Sequence, residues 1–214
     1  MFIPAFMLKK KRLHMAASID YYFTPQSPWT YLGHARFAEM ARKVQATVRL
    51  FPTDFGKVFP ISGGLPLGQR APQRQAYRLM ELKRFSESLQ MPLHIKPAFF
   101  PVAGDDAARL IIAVDLQDGA ELALRLSGAV FKAVWAQERN IAAAAVLAQL
   151  LSEQGLSAER LAQSRSPEVQ QRYEANTQQA IDQAVFGAPS YVVDGEMFWG
   201  QDRLDFVAKK LAAK

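Results

Sequence analysis

The sequence predicts an α/β fold whose single sheet is built from both ends of the chain, with an all-helical block between them. Three observations carry this. A β-branched and aromatic run at residues 19–23, a helical pattern and an alternating segment at 46–51 make a β-α-β start. Residues 72–163 then repeat the helical period with no strand signal. The chain finally returns to strands around Asp194-Gly195 and closes on one more helix.

Each element has its own justification. Residues 19–23 read as a short buried strand, followed by the turn Thr24-Pro25-Gln26-Ser27-Pro28. Trp29, Tyr31, Leu32, Ala35, Phe37, Ala38 and Met40 recur at helical spacing up to about Val44, with Ser27 as a natural N-cap and Pro28 suited to the first helical position. The β-α-β order calls for a parallel pair. Residues 51–68 carry Pro52, Pro60 and Pro66 with Gly56, Gly63, Gly64 and Gly68, and read as a loop. Helices are expected at 72–90, 105–117, 120–137, 141–154, 157–163 and 167–185, with a proline-containing connector at 91–104. Residues 190–193 and 196–199 form a hairpin, and a final helix is expected at 202–213 with Asp202 as its cap or first-turn acid. Thioredoxin-like domains have this element order. It divides the chain into an extension at 1–17, a thioredoxin-like domain at 18–68 and 167–214, and an inserted helical subdomain at 69–166.

Composition narrows the chemistry. Of 214 residues, half are apolar, enough for one sizeable core. The chain has no cysteine, which excludes a disulfide framework, a thiolate metal site and a catalytic thiol. Net charge is +6, part of it in the run Lys9 to Arg12; the rest is spread along helical faces, so nucleic acid is not the expected partner. No apolar run approaches the roughly 20 residues of a membrane helix. In the first 14 residues the apolar stretch precedes the basic one, the reverse of a secretory signal, so a cytoplasmic location is expected, with Met15 an alternative start. His14, His34 and His94 show no metal-ligand spacing. His34, two helical turns beyond Ser27, is too distant to be its base, which argues against Ser-His-Asp hydrolysis.

Three stretches carry candidate chemistry. Ser27 sits between the first strand and helix, where a helix N-terminus favours an anion. It reads either as a plain N-cap or as a hydroxyl that donates a hydrogen bond to another molecule's thiolate, and the two are compatible. Ala188-Pro189, directly before a strand, is a candidate cis bond whose neighbouring backbone can pair with an extended peptide, or an ordinary strand start. Gln201 and Asp202 can receive an amino group and a carboxylate, or form a cap with an Asp202/Arg203 surface pair.

Together these stretches resemble the 2-hydroxychromene-2-carboxylate isomerases and the related kappa-class glutathione transferases, in the DsbA-like branch of thioredoxin folds. The resemblance runs from about Ile19 to Leu211. It is carried by Ser27-Pro28-Trp29-Thr30-Tyr31-Leu32, by Phe186-Gly187-Ala188-Pro189, by Gly200-Gln201-Asp202-Arg203-Leu204, and by Tyr77, Leu82, Arg84 and Phe85 against the family's Lys-x-x-Tyr helix. Thr24-Pro25 and the loop Ser62-Gly63-Gly64-Leu65-Pro66 depart from the family pattern. The resemblance implies a glutathione-dependent isomerase interconverting 2-hydroxychromene-2-carboxylate and trans-o-hydroxybenzylidenepyruvate in aromatic catabolism, often as a homodimer. Ser27 would hold the glutathione sulfur, Ala188 with Pro189 its cysteinyl backbone, and Gln201 and Asp202 its γ-glutamyl end. The carboxylate of the aromatic substrate calls for a nearby cation. Lys57, Arg70 and Arg74 are the candidates, the latter two in a row with Arg78 that also reads as a solvated basic face. Phe100 is placed to stack on the substrate or to pack in the core. A kappa-type transferase and a cysteine-less peptide-binding domain share the same expected fold.

Overall fold

The computed structural model describes residues 17–213. The expected extension at 1–17 therefore lies, but for Ala17, outside the described residues. Its elements run β1 (Ser18–Phe23), α1 (Pro28–Lys43), β2 (Thr47–Pro52), α2 (Phe55–Ser62), α3 (Pro72–Ser88), α4 (Asp105–Asp118), α5 (Ala120–Trp135), α6 (Ala144–Glu153), α7 (Glu159–Gln163), α8 (Pro167–Asp182), β3 (Ser190–Val193), β4 (Glu196–Trp199) and α9 (Leu204–Ala212).

The four strands form one sheet in the order β2-β1-β3-β4. β1 and β2 are parallel, Ser18 opposite Thr47 and Phe23 opposite Pro52. β1 also pairs antiparallel with β3, Asp20 opposite Val192 and Tyr22 opposite Ser190. The sheet is thus made from both ends of the chain, as the sequence predicts. β1 is buried on both faces, and its one buried charge, Asp20, is met on β2 by Arg49, whose Nη2 donates to Asp20 Oδ2 at 2.7 Å. Ile19, Tyr21 and Phe23 join a large core with Leu32 and Phe37 of α1, Leu110 of α4, and Phe131 and Trp135 of α5. Tyr22, on the opposite face, packs with Phe51, Phe55, Val58, Val185 and Val192. The first core runs without a break from the sheet into the helices between α3 and α6. Across the β1–β3 pair, Tyr21 and Tyr191 stack with centroids 5.4 Å apart and planes 3° from parallel, a cross-strand contact of the kind that stabilises sheets.

Two expectations need correction. Residues 51–68 are not all loop: they contain α2 and a short 3-10 turn at Leu67–Gln69. Asp54 caps α2 by accepting from the Gly56 amide at 2.8 Å, Phe55 and Val58 are buried on one face, and Gly63 ends it with φ 74°. That face outweighs a composition rich in proline and glycine; Pro60 sits inside the helix. The last helix starts at Leu204, with Arg203 at the cap position and no side-chain cap bond. Asp202 therefore lies in the turn before the helix and does not cap it. The hairpin is as expected: Asp194 and Gly195 have φ of 51° and 78°, the left-handed pair that a two-residue turn of this hand requires.

His34 is locked inside α1. Its Nε2–H donates to the Leu124 carbonyl at 2.9 Å, so Nδ1 is left to accept from the Tyr21 hydroxyl at 3.2 Å. Burial pushes its pKa down from 6.5 to about 4, against the smaller raising effect of the Leu124 bond. With the folded value below the unfolded one, the unfolded chain takes up the proton first as pH falls. Stability contributed by neutral His34 is expected to be intact above about pH 6.5 and to be lost on acidification to about pH 4, by about 3 kcal/mol in total. Urea unfolding midpoints measured across this range should show the decline, and His34→Gln should flatten that part of the profile.

Candidate active site

The β1–β3 register decides where the site lies. β1 ends at Phe23 and β3 begins at Ser190, and Tyr22 faces Ser190 across the ladder. Ser27, four residues past the end of β1, and Pro189, one residue before β3, are thereby delivered to the same end of the sheet. The Ala188-Pro189 bond is cis. The Pro189 carbonyl accepts from the Gly200 amide at 2.9 Å, which ties this corner to the turn after β4.

Ser27 is buried, 8% exposed. It is the N-cap of α1, its Oγ accepting from the Thr30 amide at 3.2 Å, and Pro28 takes the first helical position. Both readings of Ser27 survive this geometry. The cap uses an oxygen lone pair, while the hydroxyl proton has no acceptor among the described residues. The Thr30 hydroxyl, one turn in, is buried with no partner among the described residues. Ala188 makes no backbone hydrogen bond among the described residues and borders a cleft of about 540 Å³.

That cleft has two walls. One is the corner and the turn after β4: Ala188 and the run from Trp199 to Arg203. The other is the face of α3 and its approach: Arg70, Arg74, Tyr77, Arg78, Glu81 and Phe85. Trp29, two residues after Ser27, lies between them and meets Phe85 edge-on with centroids 6.0 Å apart. Of the expected site residues, Ala188, Gln201, Asp202, Arg70 and Arg74 line this one cleft. Ser27, Pro189, Phe100 and Lys57 are not among its lining residues: Ser27 and Pro189 adjoin it through their neighbours Trp29 and Ala188, and Lys57 stands exposed on α2. Phe100 packs against Trp135 at 4.8 Å, beneath the Arg78 guanidinium. Sequence reasoning left Trp29, Tyr77 and Trp199 without a role, since nothing in their local pattern separates a cleft aromatic from a core one.

The environment of Gln201 differs from that of a free cleft amide. It is 2% exposed, and its Oε1 accepts from Arg36 Nη2, which also donates to its backbone carbonyl at 3.1 Å. Its Nε2 is buried without a partner among the described residues, as is the Tyr191 hydroxyl nearby. Asp202 pairs with Arg203 at 2.6 Å, the surface pair that the sequence left open as one reading.

A model of the DSBA-like thioredoxin domain matches residues 18–212. The chain belongs to this family. Within it, the chain is 29% identical over 199 residues to a 2-hydroxychromene-2-carboxylate isomerase of Sphingobium xenophagum, a match spanning 92% of this chain and 99% of that one. It is 28% identical to a protein of the same name from Pseudomonas putida over 87% of this chain and 90% of that one. Among solved structures, a 2-hydroxychromene-2-carboxylate isomerase superposes with a TM-score of 0.75 at 25% identity, covering 92% of this chain and 95% of that one. The cytosolic disulfide reductase DsbM of Pseudomonas aeruginosa, solved with GSH, shares the fold of this DSBA-like chain with a TM-score of 0.64 at 17% identity, over 92% of this chain and 96% of that one. The resemblance drawn from the sequence is borne out, and these similarities support an enzyme of isomerase type.

Gly33 of α1 packs against the turn that carries Gln201. A Cβ there would lie 2.8 Å from Gln201 Cβ and 3.1 Å from the Tyr191 hydroxyl. Gly33→Ala is expected to destabilise the protein by about 1–3 kcal/mol despite its better helix propensity, because the overpacked contact is between a helix and a tied turn. Chemical unfolding of the variant beside the parent checks this.

Proposed function

We propose that the chain is a glutathione-dependent isomerase acting on an aromatic carboxylate of the 2-hydroxychromene-2-carboxylate type. The observation that carries the reading is the meeting of two distant segments at one sheet end: a serine hydroxyl with an uncommitted proton at a helix N-terminus, and a cis-proline corner whose Ala188 backbone is unpaired. The named relatives of the chain support the reaction type, and a protein of the same fold solved with GSH supports the thiol.

The residues present fit the group. Unpaired backbone at Ala188 suits an extended peptide added as a strand. The Ser27 proton and the α1 N-terminus suit a sulfur anion, and the backbone of the Gln201 turn borders the same cleft. Bound glutathione would supply a nucleophilic sulfur able to turn the conjugated double bond of the substrate into a rotatable single bond and back.

The protein's own tasks are then electrostatic and geometric. Ser27 donates to the sulfur position and holds charge there, helped by the partial positive charge of the helix end. A hydrogen bond to a charged group contributes about 1.5–3 kcal/mol, which corresponds to about one to two pKa units on a thiol that titrates near 8.5 when free. Arg70 and Arg74 set a positive potential on the α3 wall, suited to an anionic substrate. The rings of Trp29 and Tyr77 present flat apolar surface to an aromatic one. A cytoplasmic homodimer belongs to the same reading, on the family resemblance.

Isomerisation assayed with and without glutathione tests the proposal. The expected result is turnover of 2-hydroxychromene-2-carboxylate that requires glutathione, with a rise in melting temperature when glutathione is added. Ser27→Ala should lower activity near neutral pH by about 10- to 100-fold and move the acidic limb of the pH profile up by about one to two units. Loss of the cap should cost about 1 kcal/mol of stability, measured separately. Conjugation of electrophiles without isomerisation would instead identify a transferase, and no response to glutathione would reject the reading.

A further inference from the structure

The cleft carries more cation than its own acids can neutralise. Its two acidic residues are already committed, Glu81 to Arg84 at 2.6 Å and Asp202 to Arg203 at 2.6 Å. Arg70, Arg74 and Arg78, four residues apart at the approach to α3 and along it, line the same wall with no carboxylate partner among the described residues. Arg70 is partly satisfied, since its Nε donates to the Leu65 carbonyl at 2.8 Å. Arg74 is exposed. Arg78 is different from both.

Arg78 is half-buried and makes no hydrogen bond or ion pair among the described residues. Its guanidinium carbon lies 5.3 Å from the Phe100 ring centroid and 5.8 Å from that of Trp135. These two rings, 4.8 Å apart, form an apolar seat that holds the cation by its face and leaves its five N–H donors unused. Desolvation, with Arg70 adding like-charge repulsion, pulls its pKa down to about 10, so it remains charged at neutral pH. A desolvated, unpaired cation with all its donors free is costly in isolation and is relieved by an anion that meets the planar fork with two oxygens.

We infer that Arg78 is the carboxylate anchor of the acceptor-substrate subsite, binding a planar aromatic carboxylate across the cleft from the Ala188 corner. The inference rests on the proposed reading of this cleft as the substrate site, and it names the residue that gives that site its preference for an acid over its neutral isostere. Lys57, the loop cation expected from the sequence, lies off the cleft lining and is not needed for this role. The unpaired backbone that suits a peptide is on the opposite wall, which separates the anchor from the position proposed for glutathione.

The test compares trans-cinnamate with trans-cinnamamide, equal in shape and differing in charge, by calorimetric titration of the parent, Arg78→Met and Arg78→Lys. Glutathione is titrated in parallel and the fold is checked by circular dichroism. The parent is expected to bind the acid at least about tenfold tighter than the amide. Arg78→Met should abolish that preference while leaving amide affinity within about twofold. Arg78→Lys, which keeps the charge without the fork, should retain only part of it; if the Met variant does not fold, the Lys variant decides. Four outcomes would overturn the inference: no acid preference in the parent, an undiminished preference in the folded variants, equal loss of acid and amide, or a fall in glutathione affinity matching the fall for cinnamate. The last would assign the anchor to a carboxylate of glutathione. An acid preference that depends on Arg78 in a protein that neither binds glutathione nor isomerises would uphold the subsite and reject the isomerase reading alone.

Discussion

The site depends on the antiparallel pairing of β1 with β3. Residues 20–22 pair with residues 190–192, so the ladder closes a loop of about 170 residues, an entropic cost that grows only slowly with length. What offsets it is burial on both faces of β1: Ile19, Tyr21 and Phe23 in one core and Tyr22 in the other. The register is firm because a slip by one residue would exchange those faces. Its product is local. The end of one strand and the beginning of another lie side by side, and the turns attached to them, one with Ser27 and one with Ala188-Pro189, become neighbours without any direct bond between them.

Around that junction the two walls of the cleft divide the chemistry. The corner and the β4–α9 turn offer backbone groups and buried amides, whose positions are fixed by hydrogen bonds. The α3 wall offers charge and rings. On the function proposed above, recognition of a peptide-like cofactor and of an aromatic acid would fall to different elements; the relatives of the chain are named for an aromatic carboxylate substrate.

Much of this was legible in the sequence, and what was not has physical reasons. The first two strands, expected at 19–23 and 46–51 and found at 18–23 and 47–52, the Ser27 cap and the Asp194-Gly195 turn follow from local rules about β-branching and capping, while the cis bond at Pro189 was one of two readings the local pattern left open. The helix at Phe55–Ser62 was hidden because a buried Phe55/Val58 face overrides a local composition that argues for a loop. The last helix begins two residues late because the Gly200–Arg203 turn is held by contacts with Pro189 and Arg36 that no local pattern records. The side chain of Gln201 turns onto Arg36, a partner 165 residues away in the chain. Arg78 showed its four-residue spacing with Arg70 and Arg74, but the seat made by Phe100 and Trp135 comes from a connector and a helix end brought over α3 only by the tertiary fold.

The Arg36–Gln201 tie has a consequence for how such an enzyme can diversify. Arg36 belongs to the helix that Ser27 begins, and it grips both the side chain and the main chain of Gln201. The serine-bearing helix and the turn beside the proline corner are therefore tied directly by hydrogen bonds. The helix opposite has Leu82 as its one fully enclosed residue and presents its cleft face almost free of such anchors. Side chains on that loosely embedded helix can therefore be exchanged with less disturbance than those on the half held by the Arg36–Gln201 tie.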